Sequence, residues 1–103
     1  MKNEHFIHLL MNCPRNQARA LLETASKEQV YTICLLIFNI TKNLHIVTPK
    51  TNTLVKKHKK IVYKLTDKGL KEKNKYSIIR RNWLVIYNLL VSAKNAIFKA
   101  LSK

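Results

Sequence analysis

Leu54, Val55, His58, Ile61, Val62 and Leu65 are spaced three and four apart, while Lys56, Lys57, Lys59, Lys60 and Lys64 fill the remaining arc. This is the pattern of an α-helix with one face for a protein core and the other for a polyanion or water. Asn3 is placed to cap a first short helix carrying Phe6, Ile7, Leu9, Leu10 and Met11, which Pro14 ends. Pro14 also suits the first turn of a second helix near Arg15 to Thr24, with Ala18, Leu21 and Leu22 as its apolar ridge. Ser26 and Gln29 form a capping-box pattern that starts a third helix at Lys27, running to Asn43. Val30, Tyr31, Ile33, Cys34, Leu35, Leu36, Ile37, Phe38 and Ile40 make it apolar on nearly every side, as expected of a buried central element.

Leu44 to Asn52, with His45, Thr48 and Pro49, reads as a loop whose end, Thr51 or Asn52, caps the basic helix. Asp67, Lys68 and Gly69 stop that helix, with Gly69 at the left-handed position. A lysine-rich connector follows. From Ser77 to Lys103 a long amphipathic helix carries Ile79, Trp83, Ile86, Leu90, Ala93, Ile97 and Ala100 at alternating spacings of four and three. That repeat holds for about three heptads, the lower limit of a coiled-coil seam. It fits a core helix folded back on the bundle. It also fits a partner-binding or membrane-surface helix, because Arg80, Arg81, Lys94, Lys99 and Lys103 edge the apolar stripe.

The expected architecture is all-α: one compact bundle of about five helices. Residues 1–50 supply a three-helix core, 51–76 the basic helix and connector, and 77–103 the final helix. A single glycine and two prolines in 103 residues argue against a turn-rich β protein, and 47% apolar content suits a chain that buries a core.

Charge sharpens the functional question. Residues 1–50 carry six basic groups against Glu4, Glu23 and Glu28; residues 51–103 carry fourteen against Asp67 and Glu72 and account for +12 of the +15 net charge. Nine of the twenty positions from Lys56 to Lys75 are lysine. Such asymmetry points to nucleic acid or an anionic membrane surface. The residues assigned to phosphate contact are Lys56, Lys57, Lys59, Lys60, Lys64, Lys68, Lys71, Lys73, Lys75, Arg80 and Arg81. If about six of them met phosphates, affinity would fall about a thousandfold between roughly 50 and 200 mM salt.

Other chemistry is sparse. The five acidic residues lie scattered, with no paired general acid and base, so an enzyme is not expected. His5 and His8 share a helix face without a third ligand, and no metal or cofactor is expected. His58 falls among apolar neighbours and reads as a boundary histidine. Cys13 and Cys34 lack metal or CxxC spacing and read as small apolar residues of a reduced compartment. The third helix is too apolar to serve as the reading helix of a helix-turn-helix, so binding through phosphates without sequence preference is expected. Lys2 and Glu4 before a short apolar patch do not make a secretory leader. The uncharged stretches Gln29–Thr41 and Asn82–Ala93 fall well short of the roughly 20 residues that span a bilayer.

The order of motifs resembles a family of short basic proteins encoded by adintoviruses and Maverick (Polinton)-type elements. The resemblance rests on Leu21, Leu22, Glu23, Thr24, Ala25 and Ser26, then Gln29, Val30, Ile33, Cys34 and Asn39, then Leu54, Lys57, His58, Lys59, Lys60, Leu65 and Lys68. It covers roughly residues 6 to 75 and implies, by analogy with adenovirus core proteins, a virion-associated role in packaging double-stranded DNA in the host nucleus or cytoplasm. The chain departs from that pattern where Asp67 and Glu72 interrupt the lysine tract and where it ends in a glycine-free amphipathic helix. The runner-up is a capsid-associated structural protein. There Ile79, Trp83, Ile86, Leu90, Ala93 and Ile97 would mediate homo-oligomerisation, docking on capsid proteins, or contact with an anionic membrane surface.

Overall fold

A computed structural model describes residues 3–43 and 47–101. The chain is helical, with no strand among the described residues. Its elements are α1 (Glu4–Asn12), α2 (Arg15–Glu23), α3 (Lys27–Lys42), α4 (Pro49–Lys57), α5 (Lys59–Thr66), α6 (Glu72–Arg81), α7 (Trp83–Ser92) and α8 (Lys94–Leu101). The all-α expectation holds, but with eight helices among the described residues where about five were expected.

The additional helices arise where one apolar stripe must serve two packing partners. A straight helix from residue 77 to 103 would be about 40 Å long at about 1.5 Å per residue. The molecule's largest dimension is 31 Å. The stripe bends at Asn82 and again at Ala93, and α6 packs on α2, α3 and α5 while α7 packs on α1, α2 and α4. Side chains assist both bends: the Asn82 amide donates to the Ile78 carbonyl (3.0 Å) and the Ser92 hydroxyl to the Leu89 carbonyl (2.7 Å). Such bonds back onto the preceding turn favour helix bending. The basic helix divides likewise at His58 (φ −110°, ψ 35°), sending α4 onto α7 and α5 onto α3. The lysine-rich connector is also partly helical, since Glu72 to Lys75 form the first turn of α6.

Several caps follow the sequence and others do not. Ser26 and Gln29 form both halves of the capping box. The cap of α4 is Thr48, which accepts from the Thr51 N–H at 3.2 Å ahead of Pro49, so the expected caps Thr51 and Asn52 lie inside the helix. Thr51 is instead fully buried and donates to the Ser92 hydroxyl at 2.8 Å, fastening α4 to α7. No glycine among the described residues has positive φ. The turn after α5 is closed by the Asp67 carboxylate, which accepts from the Gly69 N–H at 2.9 Å. Asn3 is the residue in the left-handed region (φ 66°); it makes no side-chain cap, and its amide donates to the Thr32 hydroxyl on α3 at 3.3 Å. Leu44, His45, Lys2 and Lys103 lie outside the described residues.

One contiguous core runs from Phe6 on α1 to Ile97 on α8. The first fifty residues do not close it alone, because α1 and α2 pack on α7 and α3 packs on α5 and α6. Helix α3 is therefore not encircled. It buries Val30, Ile33, Cys34, Leu36, Ile37 and Ile40, but Tyr31 is 65% exposed. The centre is shared with α7, where Ile86, Leu89 and Leu90 are buried.

Candidate nucleic-acid interface

The basic face is built by a division of labour within α4 and α5. Val55, Val62 and Leu65 are buried and Leu54 and Ile61 half-buried against the core, which fixes the helices' rotation. Lys56, Lys57, Lys59, Lys60 and Lys64 are all exposed. Backbone bonding continues through the bend, from the His58 N–H to the Leu54 carbonyl (3.0 Å) and from the Val62 N–H to the His58 carbonyl (3.1 Å). The five lysines thus sit on a held backbone. His58 is half-buried at the junction, as a boundary histidine should be.

No carboxylate compensates this charge: none of the five lysines forms an ion pair among the described residues. The nearest acids in sequence are otherwise engaged. Asp67 accepts from the Gly69 N–H, and Glu72 pairs with Lys27 at 3.3 Å. Tyr63 stands within the face at 62% exposure, with the Lys59 ammonium 5.4 Å from its ring centroid. The helical spacing places Tyr63 one turn after Lys59, but the lysine count alone does not draw attention to it.

The remaining predicted contacts lie on other elements. Lys68 and Lys71 are exposed on the turn between α5 and α6. Lys75 is half-buried close enough to Cys34 for its charge to act on that thiol; burial nonetheless dominates and pushes the Cys34 pKa up. Lys73, Arg80 and Arg81 line a separate cleft against Glu23 of α2.

The residues assigned to a partner seam require a correction. Ile79, Ile86 and Leu90 are fully buried, Ala93 and Ile97 nearly so, and Trp83 is half-buried against the same core. A periodicity of four and three specifies an apolar face but not whose core it joins, and here the core is the chain's own. On α7 the large apolar side chain left exposed is Leu84, at 38%. No helix among the described residues is long and apolar enough to cross a membrane.

Cys13 and Cys34 are buried and unbonded. The described residues contain no cluster of three or more His, Cys, Asp or Glu suited to a metal ion. His8 stacks on Phe98 with centroids 4.5 Å apart. Comparison with family models, curated proteins and solved structures returns no match for this chain.

Proposed function

We propose that this chain is a sequence-nonspecific nucleic-acid-binding and condensing protein that acts through lysine–phosphate contacts on the α4–α5 face. The observation that carries the reading is the face itself: Lys56, Lys57, Lys59, Lys60 and Lys64 are exposed, free of ion pairs among the described residues, and carried on helices whose other side is locked in the core. A lysine-bearing helical face of this kind meets phosphates and offers no array of base-reading amides, so binding is set by charge and salt. The net charge of +15 suits neutralisation and compaction of a polyanion. With duplex DNA as the partner, the role is that of a virion or mobile-element core protein, as the motif order in residues 6–75 implies. It involves no catalysis.

If all five lysines meet phosphates, duplex affinity falls by about five hundredfold between roughly 50 and 200 mM salt. A gel-shift series with a duplex of arbitrary sequence tests the proposal. Binding at low salt that is lost when the five lysines become glutamine, with the helical spectrum unchanged, is the expected result. Failure to bind at low salt, or equal binding by the glutamine variant, overturns it.

A further inference from the structure

The cleft between α2 and α6 differs from the lysine face in being a concave site lined from two helices. Its lining is Glu23 on one side and Lys73, Tyr76, Ser77, Arg80 and Arg81 on the other, around a volume of about 510 Å³. Lys73, Ser77, Arg80 and Arg81 follow one another at four, three and one positions, so a single face of α6 presents three cations and a hydroxyl.

Tyr76 holds this arrangement in place. Its hydroxyl donates to the Glu23 carbonyl at the C-terminal end of α2 (2.9 Å), bridging the two helices at the cleft. The Arg80 guanidinium lies 5.3 Å from the Tyr76 ring centroid. A long exposed side chain is thereby given a preferred position, which lowers the ordering cost of a bound ligand. The one carboxylate in the cleft, Glu23, is paired with Arg19, whose guanidinium in turn lies 5.7 Å from the Trp83 ring centroid. Three cations thus face one already engaged carboxylate.

We infer that this cleft is a discrete phosphate-binding site, taking a phosphoryl group whose oxygens are shared among Arg80, Arg81, Lys73 and the Ser77 hydroxyl. Two guanidinium forks, an ammonium and a hydroxyl suit a tetrahedral anion with several acceptor oxygens better than a carboxylate, which one fork satisfies. The phosphoryl group is that of a free polyphosphate or of a nucleic-acid backbone. The site does not depend on the α4–α5 face, and the two fail separately.

The test is a titration of the full chain with inorganic pyrophosphate and, in a second arm, with a short single-stranded oligonucleotide. Fluorescence of Trp83, the single tryptophan, and NMR shifts of the Arg80 and Arg81 side chains are the readouts. Saturable pyrophosphate binding is expected, weakened roughly tenfold or more by Arg80→Gln or Arg81→Gln. Glu23→Gln is expected to tighten it, because a negative charge leaves the cleft and Arg19 is released; a purely structural Glu23 would not produce that sign. Lys56→Gln with Lys60→Gln should leave pyrophosphate affinity unchanged. Response to the oligonucleotide without pyrophosphate binding would assign the site to a nucleic-acid backbone, whereas response to pyrophosphate without it would assign the site to free phosphates. Absence of saturation with both ligands, or equal affinity in the wild type, Arg80→Gln and Glu23→Gln, overturns the inference, even if the lysine face still binds duplex.

Discussion

Leu90→Ala distinguishes a core residue from a partner seam. Leu90 is fully buried on α7, the helix that packs against α1, α2 and α4. Losing three side-chain carbons removes about 2.4 kcal/mol of transfer free energy at about 0.8 per methylene, before any cavity is counted. With the cavity, buried Leu→Ala changes cost about 2.7–5 kcal/mol. A domain of this length has a total stability on the order of 5–15 kcal/mol, so the variant loses a large share and its melting temperature falls by at least about 10 °C. Urea denaturation followed by far-UV circular dichroism, at a low and a high protein concentration, measures the loss. Leu84→Ala, at a partly exposed position on the same helix, serves as the control and should lose only about 1.5 kcal/mol, because over a third of that side chain already faces solvent and no enclosed cavity is left behind. A Leu90→Ala loss below about 1 kcal/mol, or a wild-type midpoint that rises with protein concentration, would refute the placement of this stripe in the chain's own core.

Two further outcomes follow from buried polar groups. Thr51→Val keeps the shape but removes the hydroxyl that donates to Ser92 and lies 3.0 Å from the Thr48 hydroxyl, and should cost about 1–2 kcal/mol in the same urea assay; an unchanged midpoint would show that this link does not hold α4 on α7. The Cys34 thiol, raised chiefly by burial with Lys75 opposing, binds its proton more tightly folded than unfolded. Its contribution to stability is therefore complete below the free thiol's pKa of about 8.5 and is lost as pH rises through the folded value. Compared with Cys34→Ala, the wild type should lose stability more steeply in that alkaline range; parallel pH profiles would contradict the assignment.

Local signals carried much of the fold, and tertiary ones decided the rest. The capping box at Ser26 and Gln29, the junction at Pro14 and the lysine-opposite-apolar pattern of residues 54–65 each depend on neighbours within a few positions, and each is legible in the sequence. The bends at His58, Asn82 and Ala93 are not. They coincide with a change of packing partner from one segment to the next, which involves residues distant in the chain and is not written in any window of sequence. Thr48 caps α4 within a polar stretch that resembles a loop through Pro49, and the local sign of the cap is the proline itself, which at the first helical position marks the residue before it. At Gly69 an aspartate carboxylate closes the turn, so no left-handed glycine is required.

The candidate sites divide the same way. Exposure of the five α4–α5 lysines follows from their arc opposite the apolar stripe. The α2–α6 cleft depends on the bond from Tyr76 to the Glu23 carbonyl, between residues 53 positions apart, for which helical periodicity has no signal. Within α6, the spacing of Lys73, Ser77, Arg80 and Arg81 was the available hint. The lysine tract from 56 to 75 is better understood as five lysines on a positioned α4–α5 face, two exposed turn lysines, Lys73 on the wall of a cleft and a half-buried Lys75 near Cys34 than as a single flexible arm.

The most direct test of the central claim is the salt dependence of duplex affinity in the wild type and in a variant with Lys56, Lys60 and Lys64 changed to glutamine. With five lysines on phosphates, log Kobs against log salt should have a slope of about −4.5, and the triple variant should reduce its magnitude by about 2.7. An affinity insensitive to salt, or the same slope in both proteins, would contradict the assignment of the α4–α5 face as the surface that meets the polyanion.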